Sequence, residues 1–81
     1  MKIVWDEPKR QANITKHGMD FADVVLFGWE TALIAKSHNN RFKAIGRFAD
    51  GTAVVIYAEL GAEAISIISF RPAKPKERNL L

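Results

Sequence analysis

Cysteine is absent from this chain of 81 residues, and histidine occurs only twice, at His17 and His38. Without thiols the chain can build neither a disulfide scaffold nor a thiolate metal site. Neither histidine has a second histidine or a carboxylate at the spacing that metal ligation requires. We therefore predict a protein without a metal centre and without a cofactor.

Long apolar runs are also missing. No segment approaches the roughly 20 apolar residues that span a bilayer, and the opening Met1–Asp6 does not resemble a signal segment. Glycine-rich phosphate loops, a serine-hydrolase elbow and zinc signatures do not occur either. We expect a cytoplasmic protein that makes no membrane contact.

The chain does contain enough apolar sequence for one small domain, spanning residues 1–81. Hydrophobic residues make up 48%, which is ordinary for a globular protein. The formal net charge is +3, and the cations concentrate in the second half of the chain, whereas the acids lie mainly in the first thirty residues. This distribution favours an anionic partner, with nucleic acid as the leading class.

The segment Arg41–Arg47, within the predicted strand Arg41–Phe48, carries the strongest functional signal. Side chains alternate across a β-strand, so its apolar set would pack on a core. The opposite face would then present Arg41, Lys43 and Arg47 within one short strand. Cations this close repel one another unless an anion lies over them, and phosphate is the usual one.

The first thirty residues predict one short strand and two helices. Ile3–Trp5 is the predicted strand, and Asp6 is placed to cap a helix that Gly18 ends after Lys16 or His17. A second helix follows, and its inner stripe comprises Phe21, Val24, Val25 and Gly28.

The rest of the chain predicts an antiparallel sheet of about four strands and a short C-terminal helix. Enrichment in valine, isoleucine and tyrosine marks the strands, and Asp50-Gly51 marks a tight turn. The predicted elements are Thr31–Lys36, Arg41–Phe48, Thr52–Leu60, Ala64–Phe70 and Lys76–Leu81. Helices followed by strands indicate an α+β fold, with one sheet face covered by the two helices and the other face open.

If the register of the strands allows it, one groove of this sheet is bordered by Arg47, Tyr57, Glu59 and Arg71. Such a set matches what metal-free RNA cleavage needs. A base takes the 2′-hydroxyl proton, guanidinium groups stabilise the phosphorane, and an acid protonates the leaving oxygen. Arg47 and Arg71 are the candidate transition-state ligands, and Glu59 or His17 is the candidate proton carrier. The candidate RNA-binding residues are Arg41, Lys43, Tyr57 and Arg78.

Several of these residues also have a purely structural explanation. Lys43 and Arg47 would simply solvate an exposed sheet face. His17 would suit the negative end of a helix dipole, and Glu59 would pair with a neighbouring cation. Tyr57 would be a core residue with its hydroxyl at the rim.

Two groups of residues resemble the BrnT family over nearly the whole chain. The first comprises Trp5-Asp6-Glu7-Pro8-Lys9, Asn13, Lys16-His17-Gly18 and Phe21. The second comprises Gly46, Asp50-Gly51, Val54-Val55-Ile56-Tyr57, Ile67-Ile68-Ser69-Phe70-Arg71, Ala73 and Glu77-Arg78. Leu60 and Ser66 stand where many relatives carry arginine.

The resemblance implies the toxin of a bacterial type II toxin–antitoxin pair, a ribonuclease with a RelE-like fold that inhibits translation by cleaving RNA. It also implies a BrnA-like antitoxin, which would cover the toxin and would alone contact DNA. An open apolar strand edge in so small a domain favours a dimer or a mixed complex. The alternative is a non-catalytic basic module that binds RNA or an acidic protein partner, which Leu60 and Ser66 favour.

Overall fold

A five-stranded mixed sheet forms the centre of the computed structural model, which describes residues 1–81. The strands are β1 (Lys2–Trp5), β2 (Leu33–Lys36), β3 (Arg41–Phe48), β4 (Gly51–Leu60) and β5 (Ala64–Pro72). Their order across the sheet is β1-β5-β4-β3-β2, and only the pair β1–β5 is parallel. The predicted α+β class is confirmed.

The predicted count of about four sheet strands is wrong, because the N-terminal strand joins the sheet as a fifth. β1 runs beside β5, from Lys2 opposite Ala64 to Trp5 opposite Ile67. Parallel partners need a long crossover and leave no hairpin signal in the sequence. The first strand of the chain therefore pairs with the last.

The helix α1 (Glu7–His17) begins and ends where the sequence predicts. The Asp6 side chain accepts a hydrogen bond from the N–H of Lys9 at 3.3 Å, which caps the first turn. Gly18 adopts a φ of 68° and donates its N–H to the carbonyl of Ile14. This left-handed conformation suits glycine, so the helix stops there.

The second predicted helix is a 3-10 helix, Phe21–Leu26, so the prediction of two α-helices before the sheet is wrong. Phe21, Val24 and Phe27 are buried, with the three-residue spacing of a 3-10 turn. Val25, assigned to the inner stripe on a 3.6-residue period, is 67% exposed.

The helical segments cover one face of the sheet, and a second 3-10 turn at Trp29–Thr31 packs there as well. The main core cluster comprises Phe21, Val24, Phe27, Ala44, Ala53, Val55, Tyr57, Ile65, Ile67 and Phe70. Gly46 allows the Phe27 ring to lie against β3, because a Cβ at Gly46 would lie 2.6 Å from Cζ of Phe27. None of the helices is long and apolar enough to cross a membrane.

The other face of the sheet carries the C-terminal helix α2 (Pro75–Arg78) over part of its area. The buried Ala73, just before α2, packs with Ile45 and Val54 in a second, smaller core cluster. The expectation of a fully open face is therefore wrong at this place, although a short C-terminal helix was predicted.

Candidate functional site

The register of the strands gathers four cations on the face that carries α2. Arg41, Lys43 and Arg47 of β3 face the same side as Arg71 of β5, with β4 between them. Residues opposite each other on neighbouring strands share a sheet face. The predicted alternation of Arg41–Phe48 is thus present in the structure.

The four cations are not equally close to one another. Arg41 and Arg47 lie six residues apart on β3, which is about 20 Å along a strand. Strand spacing places the Cα of Arg47 about 12 Å from that of Arg71. Lys43 and Arg71, by contrast, are brought together, because the side chains of both contact a single residue of α2, Glu77.

The Glu77 carboxylate is bound by four donor groups from three residues. Arg71 donates through both arms of its guanidinium, from Nη1 to Oε1 at 2.8 Å and from Nη2 to Oε2 at 2.9 Å. Nζ of Lys43 lies 2.5 Å from Oε2, and the backbone N–H of Lys74 donates to Oε1 at 2.7 Å. Glu77 is only 6% exposed, and this full pairing is what allows a charge to be buried.

These contacts keep both Glu77 and Arg71 ionised. The hydrogen bond from Arg71 is the main reason that the pKa of Glu77 lies far below its usual value, with Lys43 and Lys74 adding to the effect. The same bond raises the pKa of Arg71. We call the Arg71 guanidinium, the Lys43 ammonium and the Lys74 N–H the oxyanion site. Such a set of donors suits phosphate as well as carboxylate.

The amide of Asn13 fixes α1 to the end of β5. Beyond Ile67 the strand β1 no longer pairs with β5, and the Asn13 side chain takes its place. Its Oδ1 accepts from the N–H of Phe70 at 3.2 Å, and its Nδ2 donates to the Phe70 carbonyl at 2.7 Å. Nδ2 also donates to the carbonyl of Met19 at 2.8 Å. The C-terminal end of α1 is thereby held beside Arg71.

His17 lies one helical turn after Asn13, on the same side of α1. Burial is the main cause that lowers its pKa below the usual 6.5, and the positive charges of Lys16 and Arg71 lower it further. The bonds between Asn13 and Phe70 hold this end of α1, which carries His17, beside the end of β5. A lowered pKa leaves this histidine neutral at pH 7, in the form that accepts a proton.

Tyr57 and Glu59 lie on the opposite face of the sheet. The Tyr57 ring stacks on Phe42 with centroids 5.6 Å apart, and burial raises the pKa of its hydroxyl. Glu59 borders an apolar cavity of about 350 Å³ on that side. The prediction that these two residues share a groove with Arg47 and Arg71 is wrong, because successive residues of β4 alternate between faces.

The other predicted cations surround the oxyanion site without joining it. Arg78 is exposed on α2, immediately after Glu77. Arg47 is exposed near the end of β3. Arg41 lies at the opposite end of β3 and borders, together with Glu59, a depression of about 290 Å³ beside the turn from β2. Of the predicted site residues, the structure joins only Lys43 and Arg71 through a shared contact.

Sequence reasoning missed Glu77 and Lys74 as parts of the site. A local signal was present, because a proline after Lys74 and a glutamate three residues after it are typical of a helix start. The partner Lys43 lies thirty-four residues earlier in the chain. Only the folded sheet shows that this glutamate meets two cations.

Comparison with known proteins gives a match to one family and a match to one solved structure. The model of a family described as the ribonuclease toxin BrnT of type II toxin–antitoxin systems matches residues 5–77. The crystal structure of the Brucella abortus ribonuclease toxin BrnT is similar, with a TM-score of 0.81 and 47% sequence identity. That match covers 91% of this chain and 97% of the Brucella chain. No curated protein matches the chain.

Proposed function

Since this chain belongs to the family of BrnT ribonuclease toxins of type II toxin–antitoxin systems, we propose that it is a metal-independent endoribonuclease that inhibits translation by cutting RNA. The observation that carries the proposal is the convergence of Lys43 and Arg71 on one oxyanion. A phosphodiester presents the same paired oxygens to a guanidinium as a carboxylate does.

In this proposal the scissile phosphodiester binds at the oxyanion site. The 2′-oxygen attacks phosphorus, the bond from phosphorus to the 5′-oxygen breaks, and a 2′,3′-cyclic phosphate and a 5′-hydroxyl result. The phosphorane that forms on the way carries one additional negative charge. Arg71 and Lys43 stabilise this charge, because both side chains already point at the position that an oxyanion occupies.

His17 is the proposed general base. Its neutral imidazole takes the proton from the 2′-hydroxyl as the new bond forms, and water supplies the proton to the leaving 5′-oxygen. The lowered pKa of His17 supports this role, since the imidazole is unprotonated at neutral pH. Glu59 has no part in the proposed reaction, because it lies on the other face of the sheet.

The cations around the oxyanion site would bind the flanking RNA. Arg41 and Arg47 lie on the same face as the site, and Arg78 is exposed on α2. We assign these three to backbone phosphates, a kind of contact that is insensitive to sequence and weakens with salt.

The proposed partner is a BrnA-like antitoxin, through which alone the toxin would contact DNA. β2 offers an edge to a second chain, because it pairs only with β3. Leu33 and Ile34 on this strand are 44% and 49% exposed. An unpaired edge with apolar side chains favours strand addition, either from the antitoxin or from a second toxin within the complex.

The test measures cleavage of end-labelled RNA by the purified toxin in EDTA. Wild-type protein should cut at an undiminished rate, and Arg71→Ala should lower the rate by about 100-fold or more, the usual loss for one transition-state donor. The cleavage rate of Arg71→Lys should lie between those of wild type and Arg71→Ala, because lysine keeps the positive charge but cannot donate from two arms to one anion.

Lys9→Ala is the control for general loss of positive charge, since Lys9 is exposed on α1. Circular dichroism confirms that each variant is folded, because losing Arg71 removes the main partner of a buried carboxylate. A wild-type rate that collapses in EDTA would rule out the metal-free reaction. A folded Arg71→Ala protein with full activity would rule out the oxyanion site.

A further inference from the structure

The oxyanion site is filled in the free chain by the protein's own carboxylate. Both arms of the Arg71 guanidinium, the Lys43 ammonium and the Lys74 N–H all point at Glu77. A phosphate that uses the same donors must take the same volume. RNA phosphate and the Glu77 carboxylate therefore cannot occupy the site together.

We propose that Glu77 is a displaceable internal substitute for phosphate, and that α2 leaves the oxyanion site when an RNA phosphate enters it. This inference rests on the proposed function, and it adds a closed state in which the toxin masks its own phosphate site. Displacement exchanges one carboxylate charge for one phosphodiester charge. The two cations are paired before and after the exchange, and the released carboxylate is hydrated by water.

The attachment of α2 itself depends on Glu77, whereas the segment before the helix is held separately by the buried Ala73, whose N–H donates to the Thr52 carbonyl at 2.9 Å. The helix has only four residues, far below the length at which a helix is stable by itself. Lys76 and Arg78 of the helix are exposed, as is Lys74 before it. Leu80 and Leu81 after it are 64% and 45% exposed. Glu77 is its single buried residue. Once the carboxylate is displaced, no buried side chain of α2 retains the helix on the sheet.

The closed state has a measurable effect on affinity. A ligand that binds only the open state shows an apparent affinity reduced by the fraction of protein that is open. Removing the charge of Glu77 weakens its bonds to Lys43 and Arg71 and raises that fraction. The loss of one negative charge also strengthens RNA binding in general, so the experiment needs a control of equal charge.

The first experiment uses RNA with 2′-O-methyl groups, which binds but has no 2′-hydroxyl to react. Fluorescence anisotropy compares wild type, Glu77→Gln and the control Glu63→Gln, whose side chain is exposed in the turn before β5. Glu77→Gln should bind about tenfold more tightly than wild type. Glu63→Gln should bind about as wild type does. Equal affinities of the two variants would overturn the proposal.

The second experiment uses inorganic phosphate and follows the Arg71 Nε–H by NMR. Phosphate should shift this signal saturably in Glu77→Gln and leave it unchanged in wild type at the same concentration. If phosphate acts in this way but wild type cuts no RNA, the masked site stands and the ribonuclease proposal fails. If wild type cuts RNA but phosphate shifts Arg71 equally in both proteins, the ribonuclease proposal stands and the masked site fails.

A third measurement needs no variant and decides the matter if Glu77→Gln does not fold. In the free chain the N–H of Arg78 donates to the Lys74 carbonyl at 2.9 Å. Bound 2′-O-methyl RNA should speed hydrogen exchange at this amide, because α2 unfolds as it leaves the sheet. Exchange that stays the same or slows on binding would show that α2 remains in place, and the proposal would be wrong.

Discussion

Asn13 and Glu77 are the two buried polar side chains of this protein, and each fastens one helix to the end of β5. Asn13 binds backbone groups of Phe70, which need a partner inside the protein at all times. Glu77 binds the side chains of Arg71 and Lys43, which accept any oxyanion of suitable size. The two contacts are similarly buried, but they have different roles. The Asn13 contact is a permanent part of the structure, whereas the carboxylate of Glu77 can be exchanged for another anion.

The two contacts also differ in their response to pH. Asn13 is neutral, so its hydrogen bonds are insensitive to pH. Glu77 has a pKa far below the usual value of 4.5 for a glutamate, chiefly because Arg71 donates hydrogen bonds to its carboxylate. Its contribution to the free energy of unfolding is therefore complete above pH 4.5 and is lost only as the pH falls through the lowered value. At neutral pH the carboxylate stays ionised, so in the proposed exchange a competing anion, and not protonation, displaces it.

A substitution of His17 tests whether the Asn13 contact positions a general base, because both residues lie on the same face of α1. His17→Gln should lower the cleavage rate by about 100-fold, the usual loss for a general base. The wild-type rate should rise with pH and level off below pH 6.5, because burial lowers the pKa of His17. Rates of RNA cleavage at several pH values measure both effects.

His38→Gln is the matched control, since His38 is exposed in the turn between β2 and β3. It should leave the rate and the pH profile unchanged. A pH profile that survives in His17→Gln would show that α1 positions no proton acceptor, and Asn13 would then serve stability alone.

Asn13→Ala should reduce the free energy of unfolding by about 2–3 kcal/mol, because it leaves the Phe70 N–H and carbonyl buried without partners. In a domain of this size that corresponds to a fall in Tm of about 10–20 °C. Thermal unfolding followed by circular dichroism measures it. Asn79→Ala, at the exposed end of α2, is the control. An unchanged Tm for Asn13→Ala would remove the distinction between permanent and exchangeable contacts.

Arg47→Ala should have the smallest effect. We expect 2′-O-methyl RNA to bind about 2–5-fold more weakly, with the slope of log affinity against log salt reduced by about one. The reason is that Arg47 is exposed and does not contact Glu77. A loss of about 100-fold, as large as the loss of cleavage rate expected for Arg71→Ala, would indicate that the site lies at the end of β3 and not around Glu77.

The elements that the sequence predicts well are those with local signals. The bounds of α1 follow from a cap at Asp6 and a stop at Gly18, each of which acts within one turn. Strand β3 follows from alternation over Arg41–Phe48, and the structure has the same bounds. The sequence does not distinguish the 3-10 helix Phe21–Leu26 from an α-helix, because apolar stripes of three-residue and 3.6-residue period differ little over six residues.

The site was predictable only in part, for a related reason. Alternation places Lys43 and Arg47 on one face without reference to any other strand. The relation of that face to Arg71, or to Tyr57 and Glu59, depends on the register of β3, β4 and β5. A β-bulge beside Tyr57 changes that register within the pair β4–β5. Such long-range pairing is decided by packing and leaves no mark in a single sequence.

Because β1 pairs with β5, the sheet can be completed only when the last strand has been synthesised. The ribosome makes β1 first, yet this strand has no place in the sheet until β5 has emerged. Arg71 and Glu77 emerge at the same late stage. The hairpin of β2 and β3 can form earlier, since its strands are neighbours in the chain. The nascent chain can therefore expose the β2 edge to a partner before the oxyanion site is complete.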